Sequence, residues 1–95
     1  MTGAHRLPGE ELVAQGMADL LAQRRSVPAM AVALAQERLR AVGVEVADAG
    51  VERPAHELYA LLAAEDAATA HSRYNALIRQ IASYARAAES ATARR

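Results

Sequence analysis

The chain has 95 residues, enough for one small domain, and its 25 alanines outnumber its 19 leucines, isoleucines and valines. Eleven arginines balance eleven acidic residues, and this neutrality argues against nucleic acid and against an anionic membrane as partners. Without cysteine, the chain has no disulfide framework, thiol nucleophile or thiolate metal site. Because alanine buries little surface, we expect a thin hydrophobic core. We therefore expect the chain to bind a protein partner, which can be a second copy of itself.

We expect no targeting signal or membrane span. The first ten residues lack the apolar core of a signal peptide, and the longest apolar run, residues 27–35, is too short to cross a bilayer. The use of arginine without lysine, alongside so much alanine and valine, is typical of a GC-rich bacterial genome. We therefore predict a cytoplasmic bacterial protein with a mobile segment 1–7, one helical domain 8–90 and a frayed tail 91–95.

Two helices are predicted in the first half of the chain. The first covers residues 8–25, because Pro8 suits a first helical position and two glutamates follow near the positive end of the helix dipole. The second restarts at Pro28 and runs to about residue 42. Gly43 then suits the left-handed conformation that commonly ends a helix.

The second half is predicted to contain a loop and two more helices. Residues 44–53 alternate valines with acids, glycine and alanine, and we predict an extended loop pinned by its valines because no second strand is available. A third helix begins at Pro54 and a fourth spans Asp66 to about Glu89. The third carries a leucine stripe, Leu58, Leu61 and Leu62.

A break near Glu65 and Asp66 is predicted from the phase of the apolar positions. If the third helix continued without a break, each residue would turn by about 100° around the helix axis. The leucine stripe would then point roughly 100° away from the apolar face of the fourth helix. One straight helix cannot aim both stripes at a single core. Asp66 is the expected amino-terminal cap of the fourth helix.

The fourth helix is expected to be the surface on which the shorter helices pack. Its predicted apolar face consists of Tyr74, Leu77, Ile78, Ile81, Tyr84, Ala85 and Ala88. Its opposite face carries Ser72, Asn75, Arg79, Ser83 and Arg86. Four helices with short connections predict an all-α fold, a small, alanine-rich, antiparallel four-helix bundle.

His71 is the titratable residue of most interest. It lies at the edge of the apolar face, beside Tyr74 and one turn before Asn75. A histidine oriented by an amide or a phenol can act as a general base. The alternative, which we favour, is a half-buried structural histidine.

Arg38 falls inside the apolar stripe of the second helix, where a charge needs either a partner or a route to solvent. Asp19, Glu57 and Asp66 are the candidate carboxylate partners. Alternatively, Arg38 anchors the phosphate or carboxylate of a ligand. We favour an internal ion pair or a long side chain that extends its guanidinium into water.

These residues define two candidate sites. A ligand-binding site combines Arg38, His71, Tyr74 and Asn75. A nucleic-acid-contacting ridge uses Arg79 and Arg86, which lie seven residues apart and share a helix face, although a solvated face is the simpler interpretation. No glycine-rich phosphate loop, Ser-His-Asp arrangement or metal-binding histidine spacing occurs, and we predict no cofactor, no metal and no catalytic residue.

The sequence favours a non-catalytic protein-interaction or oligomerisation module, a small partner subunit of a bacterial complex. One alternative is a small ligand-binding or enzymatic subunit that uses the four-residue ligand site. A further alternative is an RNA-contacting or toxin–antitoxin component that uses the arginine-rich last helix.

Overall fold

The computed structural model describes residues 7–93, which form five α-helices and contain no strand. The helices are α1 (Glu10–Leu21), α2 (Val27–Leu34), α3 (Gln36–Ala41), α4 (Pro54–Glu65) and α5 (Ala70–Ala93). The all-α prediction is confirmed. Of the predicted mobile segment 1–7 and frayed tail 91–95, residues 1–6 and 94–95 lie outside the described residues. Residues 91–93 of the predicted tail are helical and form the end of α5.

Helix α2 lies at the centre of the fold. Its buried side chains point in all directions around the helix, and they are Ala29, Met30, Ala31, Val32 and Ala33. A helix that is apolar all round is a buried helix. It packs most extensively on α1 and then on α4, whereas α5 packs mainly on α4. The short α2, rather than the long last helix, is therefore the surface that the other helices share.

Helices α1 and α2 approach most closely at Gly16. A Cβ atom added to Gly16 would overlap the backbone carbonyl of Pro28 and a methyl group of Val32. Gly16 is itself buried within α1, where glycine is unfavourable for helix formation. The absence of a side chain at this position is what lets the two backbones lie in contact.

The corner between α1 and α2 is tighter than the sequence predicts. Helix α1 ends at Leu21 rather than at residue 25, because Gln23 adopts a left-handed φ of 61°. The Gln23 and Arg24 amides donate to the carbonyls of Leu20 and Asp19 at 3.0 and 2.7 Å. This pair of hydrogen bonds closes the carboxyl end of α1 as a Schellman motif.

Asp19 joins the two helices at this corner. Its side chain is buried and accepts hydrogen bonds from Arg24 (2.8 and 3.0 Å), Gln15 (3.0 Å) and Ser26 (2.6 Å). The Ser26 hydroxyl oxygen in turn accepts the amide of Ala29 at 3.1 Å and so caps α2. The hydrogen bond from Ser26, followed by that from Arg24, lowers the pKa of Asp19 below its ordinary value.

The second predicted helix is divided at Ala35, where the backbone leaves α geometry (φ −98°, ψ 15°) between α2 and α3. This division gives five helices where the sequence predicts four, so the four-helix count and the antiparallel arrangement are not confirmed. No glycine or proline marks the bend. Beyond it, Leu39 is completely buried.

Gly43 ends α3 with a φ of 92°, as the sequence predicts. The amides of Gly43 and Val44 donate to the carbonyls of Arg40 and Leu39 at 3.1 and 2.9 Å, which repeats the Schellman arrangement of α1. Residues 44–53 then form neither helix nor strand. Val46 is buried in the core, and the loop is held by its valines as predicted.

The predicted break between α4 and α5 is present, but α5 begins at Ala70 instead of Asp66. The carboxylate of Asp66 accepts the amide of Ala68 at 3.1 Å and closes a turn before the helix. A short-range bond of this kind competes with helix capping. Helix α5 enters the core at the fully buried Ala70 and remains helical to Ala93.

Gly16→Ala tests the close approach of α1 and α2. Alanine favours a helix over glycine by about 1 kcal/mol, but its methyl group would overlap Pro28 and Val32. We expect a net loss of about 1–3 kcal/mol in the free energy of unfolding, measured with urea. Ala14→Gly, at an exposed position of the same helix, is the control. It measures the difference in helix propensity between alanine and glycine without the steric contact. A stabilised Gly16→Ala protein would contradict the contact.

Ser26→Ala tests the polar corner. We expect the pKa of Asp19 to rise toward its ordinary value of 3.8, because its strongest stabilising donor is removed. The lost cap should also cost about 0.5–2 kcal/mol in the free energy of unfolding. NMR titration of the Asp19 carboxyl carbon measures the first effect, and urea unfolding measures the second.

The lowered pKa of Asp19 also gives stability a pH dependence. The ionised Asp19 contributes stability above its unfolded-state pKa, near pH 4, and this contribution is lost as the pH falls through the lower folded-state pKa. Ser26→Ala should therefore lose less of its own stability than the wild type on acidification below about pH 4. An unchanged Asp19 pKa in the variant would show that the hydroxyl does not stabilise the carboxylate.

Candidate interaction surface

An open groove lies between α2–α3 on one side and α5 on the other, and we call it the α3–α5 groove. It encloses about 320 Å³. Its walls are mostly apolar and consist of Ala31, Leu34, Ala35, Arg38, Tyr74, Ile78, Ile81 and Ala82.

The groove follows from the spacing of small and large residues on the two walls. Ala31, Leu34, Ala35 and Arg38 lie at helical spacing, and Tyr74, Ile78 and Ala82 repeat every four residues on α5. Three alanines among these positions leave the space that larger side chains would fill. Ile81 is 3% exposed and belongs to the core, whereas Ile78 is 39% exposed at the groove.

Tyr74 connects the groove to α4. Its ring lies 5.8 Å from that of Tyr59 between centroids, with the planes tilted by 56°. This is a favourable geometry for an aromatic pair. Tyr59 is 40% exposed, and the pair therefore extends the apolar surface beyond the groove onto α4.

Arg38 supplies the groove's charge. Its side chain is exposed, and it makes no ion pair within residues 7–93. Two of its predicted partners are engaged elsewhere, because Asp19 pairs with Arg24 and Glu57 pairs with Arg25. The internal ion pair is therefore wrong, and the guanidinium reaches solvent from an apolar wall, as a long side chain can.

His71 and Asn75 lie outside the groove. His71 is exposed, so the half-buried structural interpretation is wrong, and its Nε2 lies 3.3 Å from Nδ2 of Asn75. Of the four residues in the predicted ligand site, the structure brings Arg38 and Tyr74 to one surface. The histidine–amide pair forms on the same helix but does not line the groove, even though Asn75 follows Tyr74 directly in the chain.

Arg79 and Arg86 are exposed on α5, as their spacing predicts. Arg86 donates to the hydroxyl of Ser83 at 3.5 Å. Neither arginine lines the α3–α5 groove. The third arginine of α5, Arg73, is paired with Glu65 at 2.8 Å. Arg79 and Arg86 are therefore the arginines of α5 that have no ion pair within the described residues.

Sequence reasoning missed the groove itself. It assigned Ile78 to the buried face of α5, and the structure corrects that assignment, because Ile78 is 39% exposed and the facing wall carries the small side chains of Ala31 and Ala35. The available signal was local. Ile78 lies between Tyr74 and Ala82 at four-residue spacing, toward the edge of the predicted stripe.

Residues 7–93 contain neither a cluster of metal-ligating side chains nor a membrane-spanning helix. No group of three or more histidine, aspartate or glutamate side chains is placed to hold a metal ion. No helix in this part of the chain has the length and apolar character needed to cross a bilayer. No family model, curated protein or solved structure gives a significant match to the chain.

Arg38→Met and His71→Gln test these placements. Because both side chains are exposed and neither belongs to an ion pair of the described residues, we expect the free energy of unfolding to change by less than about 0.5 kcal/mol in each variant. Leu62→Ala, at a completely buried position, should cost about 2–5 kcal/mol and serves as the control. Loss of about 3 kcal/mol or more in Arg38→Met would instead reveal a buried ion pair.

Proposed function

We propose that this domain is a non-catalytic protein-interaction or oligomerisation module, a small partner subunit of a bacterial complex, and that it binds through the α3–α5 groove. The observation that carries this proposal is the groove's combination of an exposed Ile78, a half-buried Tyr74 and an Arg38 that has no ion pair within residues 7–93. We further propose that α2 and α3 act as one bent helix in an antiparallel four-helix bundle. The cytoplasmic location remains a prediction from the sequence.

The residue types in the groove support a protein partner. Tyrosine and arginine are enriched among the residues that dominate binding energy at protein interfaces, where an apolar centre is surrounded by polar groups. Three large apolar side chains of the described residues are exposed, and they are Leu21, Tyr59 and Ile78. Two of these three lie in the groove or against one of its walls, whereas Leu21 lies at the end of α1.

The small binding energy available at Ile78 favours a partner that covers an extended surface over one that inserts a single side chain. Complete burial of an isoleucine contributes roughly 1.5–3 kcal/mol, and Ile78 is already more than half buried. The remaining gain at this position is only about 1 kcal/mol. Stable binding therefore requires a surface that covers several positions, and stable protein interfaces bury about 800 Å² on each partner.

A small ligand-binding or enzymatic subunit is the second candidate. Arg38 and Tyr74 support it, because an arginine beside an aromatic ring can hold a ligand with an anionic and an apolar part. The separate position of His71 and Asn75 weakens it, since the groove then lacks the proposed general base. An RNA-contacting or toxin–antitoxin role has less support, because Arg79 and Arg86 form only a two-residue ridge on a neutral chain.

Site-specific photo-crosslinking in the cells that produce the protein tests the proposal. A benzoyl-substituted phenylalanine replaces Ile78 in one variant and Leu21, which is 77% exposed, in a control. We expect a discrete protein adduct from position 78 and none from position 21, because only the groove is proposed to contact a partner. Absence of an adduct at 78, or the same adducts from both positions, would count against an interaction role for the groove.

A further inference from the structure

We infer that the occupant of the α3–α5 groove is the same groove of a second copy, related to the first by a twofold axis. The inference rests on the proposed function and names its partner. In a twofold interface, each residue that one copy contributes is met by the same set of residues from the other. The contact surface, which consists of the groove and the residues beside it, must therefore contain both a projection and a space, and both members of any charge pair.

The charges on α3 meet this requirement. Arg38 stands at the groove without a carboxylate partner, and its neighbour Glu37 is also exposed without an ion pair in residues 7–93. With the twofold axis passing beside α3, Arg38 of one copy meets Glu37 of the second copy, and the reverse pair forms at the same time. Opposite charges placed in this way fix the register of an interface.

The apolar residues are self-complementary in the same sense. Ile78 projects from α5 at 39% exposure. Ala31 and Ala35 on the facing wall and Ala82 on α5 itself leave space in the groove. A twofold contact places Ile78 of each copy in the space left by the alanines of the other. Helix α5, with 24 residues, is roughly 36 Å long and offers an extended edge for this contact.

Dimerisation would add buried apolar surface to a domain whose own hydrophobic core is small. The large side chains that are fully buried in the described residues are Met30, Leu39, Leu58, Leu62, Val13 and Val32. A domain of this size is near the limit at which one core is sufficient, and oligomerisation is a common supplement. A net charge of zero means that no overall repulsion opposes the pairing of identical copies.

Sedimentation equilibrium of the full chain tests the inference. We expect a reversible monomer–dimer equilibrium with a dissociation constant below about 1 mM. Ile78→Glu should weaken the dimer by about tenfold or more, because it places a charge in an apolar contact. Leu21→Glu, at an exposed apolar position outside the groove, is the matched control and should leave the dimer unchanged.

Charge reversal tests the pairing itself. Glu37→Arg and Arg38→Glu should each weaken the dimer, because each places like charges opposite one another across the axis. The double variant exchanges the two charges and should restore dimerisation. Both positions are exposed, and circular dichroism with urea unfolding shows whether each variant is folded.

The outcomes separate this inference from the proposed function. A wild-type chain that is monomeric up to about 1 mM overturns the inference, and a photo-adduct with a different protein at position 78 would then leave the interaction role standing. A dimer that ignores Ile78→Glu also overturns it, because the copies then meet elsewhere. Failure of the double charge reversal to restore association overturns the pairing of Glu37 with Arg38.

Discussion

The contact between α1 and α2 is the constraint on which the rest of this structure depends. Gly16 allows the two backbones to touch at Pro28, and the Asp19–Ser26 hydrogen bond holds the corner that leads from one helix to the other. The contact also sets how deeply α2 is buried. Because α2 is only eight residues long and apolar on all sides, it can occupy the centre only if its neighbours approach closely. The position of α3, and hence one wall of the groove, follows from this arrangement.

Alanine explains both the weakness of the core and the presence of the groove. An alanine lets helices lie close together but contributes little burial of its own, so a chain with 25 alanines obtains tight backbone packing with few large contacts. On the outer side of α2 the same small residues leave a depression that the chain does not fill. Thin packing inside and an open apolar surface outside thus have one compositional cause, and the proposed association with a partner would compensate for both.

The distribution of ion pairs gives the groove its electrostatic character. Three ion pairs form within the described residues, and they are Arg24–Asp19, Arg25–Glu57 and Arg73–Glu65. The first and third of these pairs lie at the carboxyl ends of α1 and α4. These acids are therefore already engaged and do not approach Arg38. A long arginine side chain on an apolar wall can leave its charge in water when the domain is alone and offer it to a carboxylate when a partner covers the wall.

Local residues were sufficient to predict the all-α class, a helix start within one residue of Pro28 and another at Pro54, the stop at Gly43 and the break after Glu65. Each of these features depends on residues within one or two turns. It also indicated the core positions Leu58, Leu62 and Ile81 through helical periodicity. Four features depend on tertiary contacts instead: α2 is central, Asp19 pairs with Arg24, His71 is exposed and Ile78 borders a groove. Periodicity gives the direction of a side chain around its own helix, whereas burial depends on which other helix covers that direction, and this is fixed by contacts between segments distant in the chain.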